Sequence, residues 1–257
     1  MWRFLVTPPA AGPENMALDE ALMHRARRTG EWVLRVYSWS EPTISFGRNQ
    51  SARGRYDLPR IRERGHGVVR RPTGGRAILH HREITYSVTA PAENAGDLRT
   101  SYGRINRLLL TALRSLGAEA EMASSSGRQV PPGQSPCFEH PSVGELVVDG
   151  RKLAGSAQWR ADGALLQHGS ILVEDDQSAL AALTLEAPTG GLFPPPATLA
   201  EALGYSPTVE EATAALVAAL RDLEDPDPVE LSIDPELRAR TSALVVRYVD
   251  ESWTWRR

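Results

Sequence analysis

The segment that decides the fold spans residues 137–172 and reads CFEHPSVGELVVDGRKLAGSAQWRADGALLQHGSIL. Asp149-Gly150 and Asp162-Gly163 are dipeptides typical of two-residue hairpin turns. The small residues at 155–157 allow another stretch of backbone to approach closely. The spacing of the turns therefore predicts an antiparallel meander of three strands, over residues 146–148, 151–159 and 164–172.

The same segment holds the only cysteine and the only lysine of the chain, Cys137 and Lys152. The other basic residues are all arginine, which stays protonated at any working pH, whereas a desolvated lysine can lose its proton. Cys137 follows a Pro-, Ser- and Gly-rich stretch that begins near Ser124, and a loop beside a sheet is a suitable mount for a nucleophile. We expect Lys152 to supply a compact ammonium or a transferable proton. The alternative is that one lysine persists on a hairpin by chance.

The composition is that of an ordinary soluble globular protein of 257 residues, with 41% hydrophobic and 24% charged residues. We expect a single catalytic domain, with a core over residues 1–175, a helical part over residues 176–257 and no accessory C-terminal domain. A lone cysteine excludes an internal disulfide, which fits a reducing compartment. The sequence contains neither an apolar run of roughly 18 residues nor a secretory signal, so we expect a cytoplasmic protein with no membrane partner.

Charge is unevenly distributed along the chain, although the net charge is only -3. Between residues 48 and 82 there are ten arginines and two acidic residues. A basic surface beside a site can receive an acidic partner and speed the encounter; the alternative is a solvated arginine-rich surface. Signatures of single-strand binding are absent, so we expect no nucleic acid partner. Since His, Cys and carboxylate residues lack metal-ligand spacing, we predict no metal and no cofactor.

Outside the meander, strands and helices alternate first, and helices then follow one another. Strands are predicted at residues 2–7, 32–39, 43–46, 68–70 and 83–90. Helices are predicted at residues 13–28, 58–64, 102–116, 178–185, 198–203, 209–223 and 235–253. This order predicts an α+β fold in which helices pack on a mixed, mostly antiparallel sheet.

Residues 70–80, RRPTGGRAILH, follow a predicted strand and combine two glycines with arginines and a histidine. Backbone amides of such a turn can approach an anionic or carbonyl oxygen, although a Gly-Gly pair alone indicates only a tight turn. Together with residues 15–22 (NMALDEAL), 37–50 (YSWSEPTISFGRNQ) and 147–170, this stretch resembles the motifs of the lipoate-protein ligase and octanoyltransferase family, in the same order. The resemblance implies a biotin/lipoate protein ligase-like catalytic fold. It covers residues 1–175 well and the helical tail loosely.

Two departures from the ligase pattern favour one branch of this family. Ligases usually carry a third glycine where Arg76 stands, because their loop wraps an acyl-adenylate. The Gly-Gly-Arg-Ala form, with Cys137 fifteen positions before Lys152, is most similar to the cysteine-dependent octanoyltransferases. His81 stands where many relatives carry aspartate, so no role of that aspartate is carried over.

The resemblance implies a protein N-octanoyltransferase of lipoate biosynthesis. The octanoyl group would pass from octanoyl-acyl carrier protein to a lysine of a lipoyl-domain protein, such as glycine cleavage H protein or a 2-oxoacid dehydrogenase subunit. Cys137 would carry it as a thioester, Lys152 would assist as the second catalytic residue, and residues 39–45 and 79–86 would help to line the acyl tunnel. The implied substrate-binding residues are Arg70, Thr73, Gly74, Gly75, Arg76, His80, Gly155, Ser156, His168 and Gly169.

Three other functions stay open at this point. The chain can be an ATP-dependent lipoate-protein ligase, or an amidotransferase that moves octanoyl between lipoyl-domain proteins through the same cysteine. It can also be a non-catalytic ligand-binding protein of this fold, although the presence of both Cys137 and Lys152 argues against that. His80 and His168 are each open to a purely structural role as well.

Overall fold

The computed structural model describes residues 1–124, 143–185 and 194–257. The strands within these residues are β1 (Trp2–Val6), β2 (Trp32–Tyr37), β3 (Thr43–Phe46), β4 (Gly67–Arg70), β5 (Ile78–His80), β6 (Glu83–Pro91), β7 (Glu121–Met122), β8 (Leu146–Val148), β9 (Arg151–Ala161), β10 (Ala164–Leu172) and β11 (Val229–Glu230). The helices are α1 (Gly12–Thr29), α2 (Leu58–Glu63), α3 (Leu98–Ser115), α4 (Ser178–Ala181), α5 (Leu199–Leu203), α6 (Val209–Leu223), α7 (Pro235–Val249) and α8 (Glu251–Thr254), with a 3-10 turn at Ala92–Asn94.

The strands form one large and one small sheet. The large sheet has eight strands in the order β11-β1-β2-β6-β10-β9-β8-β7, and the small sheet has the order β4-β3-β5. Strand β1 runs parallel to β2 and β11, and all other pairs of the large sheet are antiparallel. In the small sheet β3 is parallel to β4 and antiparallel to β5. The predicted α+β fold with a mixed, mostly antiparallel sheet is therefore confirmed.

The meander predicted from the two Asp-Gly dipeptides is present as β8, β9 and β10. Asp149 and Gly150 have φ values of 49° and 71°, and Asp162 and Gly163 have φ values of 49° and 75°. Positive φ at both central residues is the geometry of the type I′ turn, whose twist matches that of the flanking strands. The turns thereby bring β9 between β8 and β10 in the large sheet.

Helices cover both faces of the large sheet. Apolar residues of α3 and α6 pack against one face in the largest hydrophobic cluster, while α1 packs against the other face and against α7. Helix α6 begins at the predicted residue because Thr208 and Glu211 form a reciprocal capping box. Among the helices of the described ranges, none has both the length and the apolar character needed to cross a membrane.

Two predicted helices end earlier than expected, and one strand was not predicted. The helix expected over residues 235–253 is interrupted at Asp250, which has extended backbone angles and caps the nitrogen of Ser252 to begin α8. The helix expected over residues 178–185 ends at Ala181, because Thr184 instead bridges to Tyr56. The end of the glycine-rich stretch is strand β5, whose antiparallel pairing with β3 forms the small sheet.

Candidate active site

A narrow cavity of about 40 Å³ with a mostly apolar surface lies between the two sheets. The large sheet, the small sheet and α1 all contribute to its wall. The lining residues are Met16, Tyr37, Trp39, Arg71, Gly75, Ile78, His80, Thr85, Gly155, Ser156, Ala157, His168, Gly169 and Ser170.

Strands β9 and β10 form most of the wall on the side of the large sheet, and strand β6 turns a polar face to the same side. Along this strand Ile84, Tyr86 and Val88 join the apolar cluster under α3 and α6. The residues between them, Glu83, Thr85, Ser87 and Thr89, point to the opposite face and are also buried. Buried polar groups need hydrogen-bond partners. The polar side chains of this face accordingly bond mostly to one another, in two clusters.

The first cluster is centred on the carboxylate of Glu83. Its Oε1 accepts from Thr85 Oγ1 at 2.6 Å and from Ser170 Oγ at 2.9 Å, and it lies 2.7 Å from His80 Nδ1. The indole of Trp39 stacks on the His80 ring, with centroids 4.1 Å apart, and donates from Nε1 to Thr85 Oγ1 at 2.7 Å. These contacts fix the orientation of both rings in the cavity wall.

The second cluster is centred on Asp19 of α1, whose side chain is fully buried. Oδ1 accepts from Arg35 Nη1 and from Ser87 Oγ, each at 2.8 Å. Oδ2 accepts from Tyr37 OH at 2.9 Å and lies 3.2 Å from His168 Nδ1. The cluster ties the helix to β2, β6 and β10, so that the base of the cavity is held by one buried ion pair and its hydrogen bonds.

These surroundings set the protonation of Asp19 and His168. Burial alone would raise the pKa of Asp19, but the Arg35 guanidinium and the bond to His168 hold that pKa below its usual value. Burial lowers the pKa of His168, and the neighbouring Asp19 offsets only part of that effect. A neutral His168 that donates from Nδ1 to the carboxylate accepts at Nε2, so the Thr73 hydroxyl, 2.6 Å away, donates to it.

The glycine-rich turn is held by Arg71 of the segment between β4 and β5. Its Nε donates to the Gly74 carbonyl at 3.1 Å, and its Nη2 donates to the Arg76 carbonyl at 2.7 Å. Its Nη1 donates at 2.9 Å to both the carbonyl and the hydroxyl of Ser45, and that hydroxyl lies 2.7 Å from His80 Nε2. One guanidinium thus shapes the turn and joins it to the Glu83 cluster.

Two glycines of the wall have no room for a side chain. A Cβ added at Gly169 would lie 2.4 Å from the Gly155 carbonyl oxygen and 2.8 Å from the Tyr86 ring. Gly75 has φ of +96°, and a Cβ there would lie 2.6 Å from Arg71 Nη2. The close approach of β9 to β10 and the shape of the turn therefore both require glycine.

Lys152 lies on β9, three residues before Gly155, and does not line the cavity. Its side chain is 2% exposed, and Nζ donates to Glu145 Oε1 at 2.8 Å. Glu145 precedes β8, next to a register shift between Leu146 and Val147. A lysine buried at this position is thus held beside a carboxylate, which is the usual condition for a buried charge.

The structure brings together about half of the residues predicted for substrate binding. Gly75, Gly155, Ser156, Gly169 and the two histidines His80 and His168 line the cavity. Thr73 contacts it through His168, whereas Gly74 and Arg76 contribute carbonyls to the turn. Cys137 lies outside the described residues. The catalytic and binding roles assigned to all these residues stay predictions.

Arg70 is directed away from the cavity. Its Nη1 donates to the carbonyls of Gly47 at 2.6 Å and Gln50 at 2.8 Å, and its Nε donates to that of Thr254 at 2.8 Å. These bonds attach the α8 segment to the small sheet. The neighbouring Arg71 is the arginine that reaches the cavity, and prediction from the sequence missed it.

Tyr37 and Ser170 line the cavity but were not named among the site residues, and Asp19 and Glu83, which hold its wall by hydrogen bonds, were not named individually either. The signal that identifies Glu83 is the alternation along β6, in which every second residue is polar although the strand is central in its sheet. Within the described ranges, no group of three or more His, Cys, Asp or Glu side chains is arranged to hold a metal ion.

The arrangement of two sheets around a largely apolar cavity is a fold that the chain shares with solved lipoate protein ligases. The solved structure of a bi-partite lipoate protein ligase from Thermoplasma acidophilum has the same fold, with a TM-score of 0.78 and 21% identity over 98% of this chain and 95% of that one. The chain belongs to the lipoyl protein ligase A/B catalytic domain family, whose profile matches residues 11–221.

Relatives within the family extend this similarity over the full length. Octanoyltransferase LipM of Kyrpidia tusciae is 40% identical over 281 residues, covering 100% of this chain and 99% of that protein. Octanoyltransferase LipM of Symbiobacterium thermophilum is 43% identical over 233 residues, covering 84% of each chain. The resemblance drawn from the four motifs is therefore confirmed.

Proposed function

We propose that the protein is an acyltransferase of lipoate biosynthesis that moves an octanoyl group from octanoyl-acyl carrier protein to a lysine of a lipoyl-domain protein. The observation that carries the proposal is the similarity to octanoyltransferases over the whole chain. The cavity supports it, because its polar lining groups are engaged with one another and leave an apolar surface for an alkyl chain. Burial of such a chain contributes about 0.8 kcal/mol per methylene.

The first step forms an acyl-enzyme. The Cys137 thiolate attacks the carbonyl carbon of the octanoyl thioester; a new C–S bond forms, the bond to the carrier sulfur breaks, and the carrier leaves as a thiol with the proton that Cys137 gave up. A free cysteine has a pKa of about 8.5, so the step needs a nearby positive charge. Lys152 is the residue to which we assign that charge, and its ammonium also stabilises the oxyanion.

The second step releases the product. The neutral amine of the acceptor lysine attacks the carbonyl carbon of the acyl-enzyme, an amide bond forms, and the C–S bond to Cys137 breaks. The amine gives up one proton to solvent, and the Cys137 sulfur leaves as the thiolate that starts the next cycle. Trp39, His80 and Thr85, from the two segments expected to line the acyl tunnel, lie in the cavity wall beside the bound chain. Glu145, bonded to Lys152, fixes the position of the ammonium between the two steps.

The experiment is transfer of octanoyl from octanoyl-acyl carrier protein to a purified lipoyl domain without ATP, followed by intact-mass analysis. We expect a hydroxylamine-labile adduct of one octanoyl group on the wild-type enzyme, and neither adduct nor product with Cys137→Ser. Full transfer by Cys137→Ser would remove the cysteine from the mechanism. Product formed only from octanoate and ATP would instead identify a ligase.

Lys152 is tested with a matched pair of variants on the same strand. Lys152→Arg keeps the charge but replaces the compact ammonium by a larger, planar guanidinium that does not fit the buried position beside Glu145. We therefore expect kcat to fall at least about 100-fold. Arg151→Lys, in the exposed pair with Glu201, is the control and retains activity. Wild-type rates in Lys152→Arg would mean that any positive charge suffices.

A further inference from the structure

A group of arginines lies beside the cavity with no role in its wall. The guanidinium carbons of Arg48 and Arg256 lie 5.7 Å and 4.0 Å from the centroid of the Trp253 ring, and Arg256 Nη2 donates to the Arg48 carbonyl. The carbonyl of Arg257 accepts from the amides of Ala52 and Arg53 at 2.9 Å and 2.8 Å. We call Arg48, Arg53, Arg256 and Arg257 the arginine rim.

Within the described part of the protein, the side chains of the arginine rim have no carboxylate side chain as a partner. None of its four members forms an ion pair with a carboxylate there, whereas the adjacent Arg247 is paired with Glu20. Partial burial lowers the pKa of Arg256, and the charges of Arg48, Arg257 and Arg247 lower it further, which places these cations within each other's field. Arg53, Arg256 and Arg257 are exposed to solvent.

The rim borders the cavity through Arg48 and the residue before it. The Arg48 amide donates to the Thr73 carbonyl at 2.7 Å, and a Cβ on the preceding Gly47 would lie 2.0 Å from the carbonyl oxygen of Gly75, a lining residue. The Arg48 guanidinium carbon also lies 4.9 Å from the centroid of Trp159, two residues beyond the lining residue Ala157. A protein held on the rim is therefore close to the cavity.

We propose that the arginine rim is the docking surface for the acidic carrier protein that delivers the acyl group. This inference rests on the proposed function, and it assigns the surface to the donor rather than the acceptor. The reacting group of the acceptor is a lysine, whose approach concentrated positive charge disfavours. The donor presents a neutral thioester on an arm that carries a phosphodiester, so both the arm and an acidic protein surface are attracted.

The test compares two charge-reversed double variants. Arg53→Glu/Arg257→Glu changes two rim residues whose side chains make no hydrogen bond or ion pair within the described residues. Arg99→Glu/Arg107→Glu makes the same change at two exposed positions of α3. Each is assayed with octanoyl-acyl carrier protein and with octanoyl-pantetheine, which has neither the protein nor the phosphate. Binding of the carrier protein is measured separately by fluorescence anisotropy.

We expect the rim variant to lose about tenfold or more in both kcat/KM and affinity for the carrier protein, chiefly through a higher KM and a slower association. Its kcat/KM for octanoyl-pantetheine stays within about twofold of wild type, and the α3 variant behaves as wild type throughout. Added salt reduces the difference in carrier-protein affinity between the rim variant and wild type, because exposed charges are screened beyond about 10 Å at 0.1 M.

Three results would overturn the docking proposal: unchanged binding of the carrier protein, an equal loss with both donors, or a higher KM for the lipoyl-domain acceptor alone. The last would make the rim the acceptor surface. If the wild-type protein transfers octanoyl from neither donor, the proposed function fails, while the anisotropy measurement still decides whether the rim binds the carrier protein.

Discussion

The two faces of the large sheet are equally buried but differ in chemistry. On strand β2, Leu34 and Val36 point to the face covered by α3 and α6, where the neighbours are almost all apolar. Arg35 and Tyr37, between and beside them, point to α1 and the cavity, and they are 1% and 0% exposed. Alternation along these strands therefore separates a hydrophobic core from a polar site, and neither face meets water.

The difference shows how each face is stabilised. The apolar face gains roughly 25 cal/mol for each Å² removed from water, and the gain depends little on the orientation of its members. The polar face gains little on net from burial, and it is stable only while each donor meets its acceptor. On the polar face, the free energy of unfolding that a substitution costs should depend on which hydrogen-bond partner is lost. On the apolar face, it should depend on the side-chain volume that is removed.

The largest effect is expected from Asp19→Ala on the polar face. The substitution leaves the Arg35 charge buried without its carboxylate, and breaking a buried pair in this way costs about 3–5 kcal/mol. Urea unfolding monitored by circular dichroism measures the loss. The double variant Asp19→Ala/Arg35→Met removes both charges and should be more stable than the single variant. A loss below about 1 kcal/mol in Asp19→Ala would refute the central place given to this ion pair.

Leu34→Ala removes apolar side-chain atoms from a fully buried position on the apolar face. We expect a loss of about 3 kcal/mol in the free energy of unfolding, from lost transfer free energy and the cavity that remains. The volume-conserving control Leu34→Ile should cost less than about 1.5 kcal/mol. Since this face does not touch the site, kcat per folded molecule should stay unchanged, and a selective loss of kcat would contradict the separation of the two faces.

Ser87→Ala and Thr89→Val test the polar face at two positions of the same strand. Ser87 donates to the Asp19 carboxylate, so its removal should cost about 1.5–3 kcal/mol. The buried hydroxyl of Thr89 has no hydrogen-bond partner among the described residues, so replacing it by a methyl group should be neutral or stabilising. Chemical denaturation of the two variants side by side measures the contrast. Equal losses would mean that hydrogen bonding does not govern this face.

The smallest effect concerns the pH dependence of stability. The pKa of His168 lies below its usual value of 6.5 in the folded protein, so below pH 6.5 the unfolded chain binds more protons. Stability therefore falls as the pH drops from about 6.5, by at most about 1.4 kcal/mol per pH unit for this one group. His168→Gln should flatten the profile between pH 5 and 6.5. Parallel profiles for the two proteins would show that His168 is not the titrating group.

Local features of this fold were predictable from the sequence, and long-range ones were not. The Asp-Gly turns fix the meander because positive φ is required at both positions, and Thr208 with Glu211 fixes the start of α6. The small sheet was missed because its pairing of β3 with β5 depends on contacts across about thirty-five residues. No local sequence pattern indicates such a pairing.

The predictions for the candidate site also succeeded for local motifs and failed where the placement of other elements decides. Glycines and histidines of the family motifs led to the cavity, but of two adjacent arginines the sequence analysis named Arg70 and not Arg71, the one that lines the cavity. Arg70 ends a strand and points toward α8, whereas Arg71 follows it and points into the cavity. Successive residues of an extended chain face opposite ways, so only the placement of neighbouring elements decides which one reaches the ligand.

The contact between Gly169 and the carbonyl of Gly155 has a consequence for mutational tolerance. Even a methyl group at position 169 would have to push two central strands apart, since backbone cannot turn aside as a side chain does. A library randomised at that codon and selected for growth should return glycine alone, while neighbouring codons admit substitutes. This site would then act as a fixed spacer that limits how far the enzyme can be redesigned for bulkier cargo.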